Sequence, residues 1–290
     1  MSGTVNVTPT ADLVISIVAT SLFAILSIAY AIRSALIGRV RHRRIEAAGT
    51  SVFLNKSIQE MVYWVLDPLI DFFAALRITP NMVTLGSLVP AGGAAVALGF
   101  GWFGLAGVLS ILAAFGDIID GLLARKTGLS SGAGEVVDAA VDRYSELLFF
   151  GGLVYYYRTH DQCLFIVLAA LAGAFMVSYA TAKAEAMGVE PPRGAMRRGE
   201  RAAYLMTGSS LTPICSTIFA GSPSLALREL PIILGLTVVA VVANISVVQR
   251  LAAVAASLRA REQAARQATQ TAFDPQDGIA TKPDVPVGTV

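Results

Sequence analysis

Charge is scarce in this chain. Of 290 residues only 14% are Asp, Glu, Lys or Arg, against 55% hydrophobic, and the mean hydropathy is +0.65. A soluble domain of this size carries about 25% charged residues, so the composition reads as an integral membrane protein. Cysteine is equally sparse: Cys163 and Cys215 are the only two, both in apolar stretches. Cys packs readily as a small hydrophobe, which argues against a disulfide framework or a thiolate metal site. The two histidines, His42 and His160, sit at segment ends without partner spacing, which disfavours a histidine-based metal site. A net charge of +2 decides little by itself, and no nucleic-acid partner is expected. Where the charges stand decides more.

Residues 13–32 run without a charge for twenty positions, about 30 Å as a helix and enough for one span. No Lys or Arg precedes them, while Arg33, Arg39, Arg41, Arg43 and Arg44 follow. A secretory signal has the reverse order, so the N-terminus is placed outside and the basic run in the cytoplasm. Further apolar stretches at about 82–100, 102–116, 136–157, 164–182, 202–220 and 230–248 bring the expected helices to seven. Alternate threading puts Lys56, Arg77, Arg125, Lys126, Arg143, Lys183, Arg193, Arg197, Arg198, Arg201 and Arg250 on the cytoplasmic side, with only Arg158 and Arg228 outside. Residues 51–77 mix Lys56, Glu60, Asp67 and Asp71 with Val62, Trp64, Leu66 and Phe72, and Pro68 interrupts them. They read as an amphipathic helix lying on the cytoplasmic face. Residues 251–266 read as a short basic surface helix, with disorder after about Glu262. The organisation is therefore 1–50 (first span and basic linker), 51–250 (membrane domain, with 51–79 interfacial and 80–250 spanning) and 251–290 (tail).

Four aspartates break the apolar pattern: Asp117 and Asp120, three apart, then Asp138 and Asp142, four apart. Each carboxylate costs roughly 2.5–3.5 kcal/mol at mid-membrane on insertion scales, so four together need a reason. Residues three or four apart share a helix face. A helix descending through Asp120 and another rising through Asp138 can turn both pairs into one cleft. The connection at 126–133 contains Gly128, Gly132 and two serines, as a tight turn requires. Counted from Trp102, Asp117 lies about 22 Å along its helix, in the inner part of the bilayer. Gly121, Ala124 and Gly134 leave room for a ligand, and Arg125 can fork onto phosphate oxygens. Hard divalent cations favour carboxylates plus substrate phosphates, and two such ions can clamp a diphosphate. The alternatives are carboxylates paired with Arg125, Lys126 and Arg143, or an ion-coupled transporter. A transporter would place its acids at mid-membrane on broken helices.

The pattern D-x-x-D-G-x-x-A-R, eight residues, then G-x-x-x-D-x-x-x-D, resembles the signature of the CDP-alcohol phosphotransferases, and every signature position is filled. The resemblance covers roughly residues 51–250. It implies an all-α membrane enzyme with a six-helix core, here with an added N-terminal span and an interfacial helix. It further implies transfer of a phosphatidyl group from CDP-diacylglycerol to an alcohol, with release of CMP, using two Mg²⁺ or Mn²⁺ ions. By the same resemblance Asp117, Asp120, Asp138 and Asp142 lie at the metals, and Asp142 is the general base. Gly121, Ala124, Arg125, Ser131 and Gly134 would border the nucleotide-diphosphate, with Asn81, Met82, Val83 and Thr84 beside them. Cell-membrane residence, a cytoplasm-facing site and a homodimer are implied as well.

For the acceptor, the basic residues of 183–201 lie beside the aspartate cleft, and a separate cationic pocket suits a phosphorylated alcohol. Asp142-Arg143-Tyr144-Ser145-Glu146, the 178–188 stretch, Arg198-Gly199-Glu200-Arg201 and Val248-Gln249-Arg250-Leu251 are similar to the branch of the family that uses inositol phosphate. There Lys183, Arg198 and Arg201 would hold the acceptor phosphate. Position 183 departs from that branch in carrying Lys where Arg is usual, which loses the bidentate fork. The segment 189–196 is Pro-rich and unlike it. Glycerol 3-phosphate is the alternative acceptor.

Overall fold

The computed structural model describes residues 9–37, 56–190 and 196–272. In chain order the helices are α1 (Pro9–Ile37), α2 (Lys56–Ala75), α3 (Pro80–Gly86), α4 (Leu88–Gly99), α5 (Phe103–Thr127), α6 (Gly132–Tyr157), α7 (Asp161–Ala186), α8 (Arg198–Ile218), the short α9 (Leu225–Arg228) and α10 (Leu230–Ala272). Among the described residues, five helical stretches are long and apolar enough to cross a membrane: 10–37, 80–99, 103–127, 161–186 and 230–267. The other two of the seven expected spans, α6 and α8, have 26 and 21 residues but carry the charges of the site. The protein is an all-α integral membrane protein.

The bundle is held by small residues that let backbones approach, as membrane helices require where hydrocarbon supplies no hydrophobic drive. A Cβ on Gly152 of α6 would collide with the Ala95 carbonyl of α4, and one on Gly173 of α7 with Asn244 of α10. Asn244 Nδ2 bridges the same α7–α10 contact by donating to Ala169 O at 2.9 Å. Around these contacts Leu98, Phe150, Leu153, Tyr157, Val167, Ala170, Ile232 and Val239 are fully enclosed.

Four expectations change. The first core stretch carries a local irregularity at Ser87, between α3 and α4, although Ser87 keeps helical dihedrals (φ −65, ψ −20) and its N–H still donates to Val83 O at 3.0 Å. It lies at a close tertiary contact. Gly116 of α5 presses so close that a methyl there would strike Ser87 Cβ, and Ser87 Oγ donates to Thr84 O at 2.6 Å, within its own chain turn. Second, Pro68 does not interrupt α2. It removes one backbone donor, but Leu66 and Ile70 on either side bury themselves against Ile119 and Leu123 and hold the helix together. Third, no separate surface helix follows the last span. The chain has neither Gly nor Pro between Leu236 and Ala272, and Val254 packs on Ala184 and Val189, so α10 continues for 43 residues. Fourth, the order of 262–272 is helical, contrary to the disorder expected after Glu262; residues 273–290 lie outside the described residues, as do His42, Arg193 and the 50/51 boundary.

The additional first helix is docked at both ends. Asp12 accepts from Gly104 N at 3.0 Å and Leu105 N at 2.9 Å, capping the start of α5, where Trp102 offers no side-chain cap. Ser16 Oγ donates to Ser210 O of α8 at 2.7 Å. At the other end Tyr30 OH donates to the buried Glu60 of α2 at 2.8 Å, and Arg33 stands over Trp64. Asp12→Ala should therefore cost about 0.5–2 kcal/mol, the usual value of a lost cap. The thermal unfolding midpoint in detergent, followed by tryptophan fluorescence, checks this; an unchanged midpoint would show that the cap contributes nothing.

Candidate active site

The four aspartates come from two adjoining helices, Asp117 and Asp120 from α5, Asp138 and Asp142 from α6. The turn that brings them together is set locally. Gly128 closes α5 at φ +71, a left-handed conformation that glycine adopts at no steric cost, with its N–H on Ala124 O. Ser131 then opens α6, its Oγ accepting from Gly134 N at 3.1 Å.

Asp117, Asp120 and Asp138 each present one oxygen to a common point, all within 4.8 Å of one another. Asp120 is buried, with the Thr84 hydroxyl 2.5 Å from its Oδ2. Asp138 Oδ1 is buried and has no hydrogen-bond partner among the described residues. Three negative groups converging on one point, with an unsatisfied oxygen among them, fit a hard divalent cation. Asp142 stands apart from the three. It pairs with Arg198, which also donates to Asp117 Oδ1 at 3.2 Å.

On one side of the cluster opens a cavity of about 780 Å³, continuous with solvent. Asn81, Thr84, Gly121, Ala124, Arg125, Ser131 and Gly134 all line it, together with Asp117, Asp120 and Asp138. Met82 and Val83 do not: Met82 is 61% exposed, and Val83 packs toward Leu66 and Ile119. Helical spacing accounts for this, since 81 and 84 share a face and 82 and 83 turn away. A methyl on Gly134 would lie 3.3 Å from Asn81 Oδ1, so bare backbone there keeps the cavity wall open.

Asp142 lines a second, much smaller cavity of about 100 Å³, where Arg198, Ser145 and Glu146 face Ala91, Ala94 and Phe150. Arg201 is only 1% exposed. Its Nε donates to Glu146 Oε1 at 2.9 Å, and its Nη1 has no partner. Glu146 also accepts from Arg143 Nη1 at 2.8 Å. Lys183, exposed in the last turn of α7, stands outside this network.

Tyr63 was not singled out from the sequence, and Glu146 and Arg250 were named within stretches resembling the inositol-phosphate branch, with no role of their own. Tyr63 of α2 lines the larger cavity, and nothing in its local sequence signals that. Glu146 pairs with Arg143, three residues before it. Arg250 is 8% exposed within α10, and its Nη1 donates to Thr181 Oγ1 at 2.6 Å.

Residues 77–241 match the profile of the family described as CDP-alcohol phosphatidyltransferase. An archaetidylinositol phosphate synthase of Aeropyrum pernix is 33% identical over 194 residues, covering 65% of this chain and 89% of that protein. The crystal structure of phosphatidylinositol phosphate synthase from Mycobacterium tuberculosis with manganese and citrate superposes with a TM-score of 0.57 at 26% identity, covering 64% of this chain and 87% of that one. The same enzyme with CDP-diacylglycerol bound gives 0.55, also at 26% identity, covering 64% and 92%. The match spans the aspartate ladder and most of the helices that position it, and this chain belongs to the CDP-alcohol phosphatidyltransferase family.

Proposed function

We propose that the protein transfers the phosphatidyl group of CDP-diacylglycerol to inositol 1-phosphate, releasing CMP. The observation that carries the reading is the convergence of Asp117, Asp120 and Asp138 within 4.8 Å on the wall of an open cavity large enough for a nucleotide-diphosphate. Bound there, Mg²⁺ or Mn²⁺ would supply positive charge to the diphosphate oxygens; the resemblance implies two ions. Asn81, Thr84, Gly121, Ala124, Arg125, Ser131 and Gly134 line the nucleotide's place, and Arg125 is the side chain able to fork onto its phosphates. The flanking Met82 and Val83 position that helix rather than touching the ligand.

Asp142 lines the smaller cavity, and Asp117 lines both. Asp142 takes the proton of the acceptor hydroxyl, whose oxygen attacks the phosphorus bearing diacylglycerol. The bond from that phosphorus to the bridging oxygen of the diphosphate breaks, and CMP departs with that oxygen. Arg198 and Arg201 on α8, with Lys183 and Arg250 from the neighbouring helices, supply the cationic side for the acceptor's phosphate. The relatives' names support inositol phosphate as that acceptor. The acids sit on the unbroken α5 and α6; this favours the enzyme over an ion-coupled transporter. The basic asymmetry of the loops supports a site at the cytoplasmic face of the cell membrane, with the N-terminus outside, and the family supports a homodimer.

The test is direct. Protein purified in detergent, given Mg²⁺ and CDP-diacylglycerol, should release CMP with inositol 1-phosphate, and chelation of the metal should stop it. A preference for glycerol 3-phosphate would overturn the acceptor assignment. No CMP with any member of a panel of free and phosphorylated alcohols would sink the transferase reading of this chain.

A further inference from the structure

Arg198 occupies an unusual place for a group meant to bind an acceptor. Its guanidinium lies between Asp117 and Asp142, touching both. Asp117 thus belongs to two groups: the cluster with Asp120 and Asp138, and a pair with Asp142 that is closed by an arginine rather than by a metal. The Asp142 side chain is only 13% exposed, so solvent does little to offset its charge, and a cation must stand beside it.

We propose that Arg198 holds the place of a second divalent ion between Asp117 and Asp142, and yields it when that ion binds, so that metal loading frees its guanidinium for a phosphate monoester. This rests on the metal reading of the aspartate cluster given above. Two features of the structure make the exchange reasonable. Arg198 opens α8 and its side chain is 35% exposed, whereas Arg201, one turn on, is 1% exposed and fixed by Glu146. The first can swing and the second cannot. The destination is also prepared: Arg201 Nη1 is buried without a partner, on the α8 face that a released Arg198 shares. A divalent ion carries twice the charge of a guanidinium and can be ligated by both carboxylates at about 2 Å, so it displaces the arginine once the first site is filled. Two guanidiniums side by side, with Nη1 of one already unsatisfied, then match the oxygens of a phosphate monoester. The acceptor site is therefore completed only on a metal-loaded enzyme.

The experiment uses full-length protein in detergent without lipid substrate. Mn²⁺ is titrated, and free Mn²⁺ is followed by electron paramagnetic resonance. Wild-type protein should show one tighter and one weaker class of site. Arg198→Gln should tighten the weaker class by about tenfold, within the range usual for coupled sites, and leave the tighter class alone. An unchanged or weakened second class would overturn the placeholder role. Binding of inorganic phosphate is then measured with and without saturating Mn²⁺. Wild type should gain about tenfold in phosphate affinity from the metal, and by linkage phosphate should raise Mn²⁺ affinity by the same factor. If Arg198→Gln shows an equal gain, the metal alone holds the phosphate and the release of Arg198 is refuted. Arg198→Lys, which keeps the charge but loses the fork, should fall between the two and guards against a folding defect. Absence of any Mn²⁺ binding by wild type would instead remove the metal reading, and this inference with it; Asp120→Asn should abolish the tighter class if that reading holds.

Discussion

Asp142→Asn should reduce CMP release by about 10²–10⁴-fold, the usual contribution of a positioned general base, while CDP-diacylglycerol binding stays measurable. Asparagine keeps the size and hydrogen-bonding shape of the side chain but cannot take a proton. The three carboxylates that converge on one point do not include Asp142, so a large part of the metal and diphosphate affinity should survive the change. Arg198 would keep its contact with Asp117. Single-turnover CMP release, with calorimetric binding of CDP-diacylglycerol in parallel, separates the two effects. Unchanged turnover would refute the role of base; loss of binding to the same degree as turnover would place Asp142 in the ligand site instead.

The largest stability effect is expected at Glu146. Its side chain is 11% exposed and accepts from Arg143 and Arg201, one of which is fully enclosed. Truncation to alanine leaves two guanidiniums without their carboxylate, and Arg201 is almost fully enclosed. Breaking a buried pair by removing one partner costs about 3–5 kcal/mol. Glu146→Ala should lower the unfolding midpoint accordingly. Replacing both partners with apolar residues of similar volume, Glu146→Leu with Arg201→Met, should recover most of the loss, because no charge is then stranded. The double variant would still lack the cationic partner proposed for the acceptor, so restored stability with lost CMP release is the expected combination. A single-variant cost below about 1 kcal/mol, as for an exposed pair, would show that water reaches Arg201.

These two residues also mark how far the sequence could be read. Asp142 was legible because carboxylates in hydrocarbon are costly and because helical spacing ties it to Asp138. Its distinctness from the other three was not, since that depends on Arg198 arriving from a helix 56 positions later. Glu146 was hidden for a similar reason: its partner Arg201 is 55 residues away, and only the folded bundle closes the pair. The close approach of Gly116 to Ser87 left no trace in an apolar run, because it needs two segments to meet. Pro68 misled in the opposite direction, as a local breaker overruled by the packing of Leu66 and Ile70. Asp12, just ahead of the first span, caps another helix, which nothing in its local sequence signals. What single-residue chemistry and helical period determine was recoverable; what needs two distant segments to meet was not.

The uninterrupted last helix has a practical consequence. Its 43 residues measure roughly 65 Å at 1.5 Å per residue, about twice the hydrocarbon thickness of a bilayer. Arg261 Nη2 ties its far half to Gly188 O at 2.7 Å, so the projecting part is braced against the end of α7. A small soluble domain fused in helical register onto that projection would inherit a fixed orientation. For a 30.4 kDa membrane protein, it would serve as a rigid fiducial for particle alignment in electron cryomicroscopy.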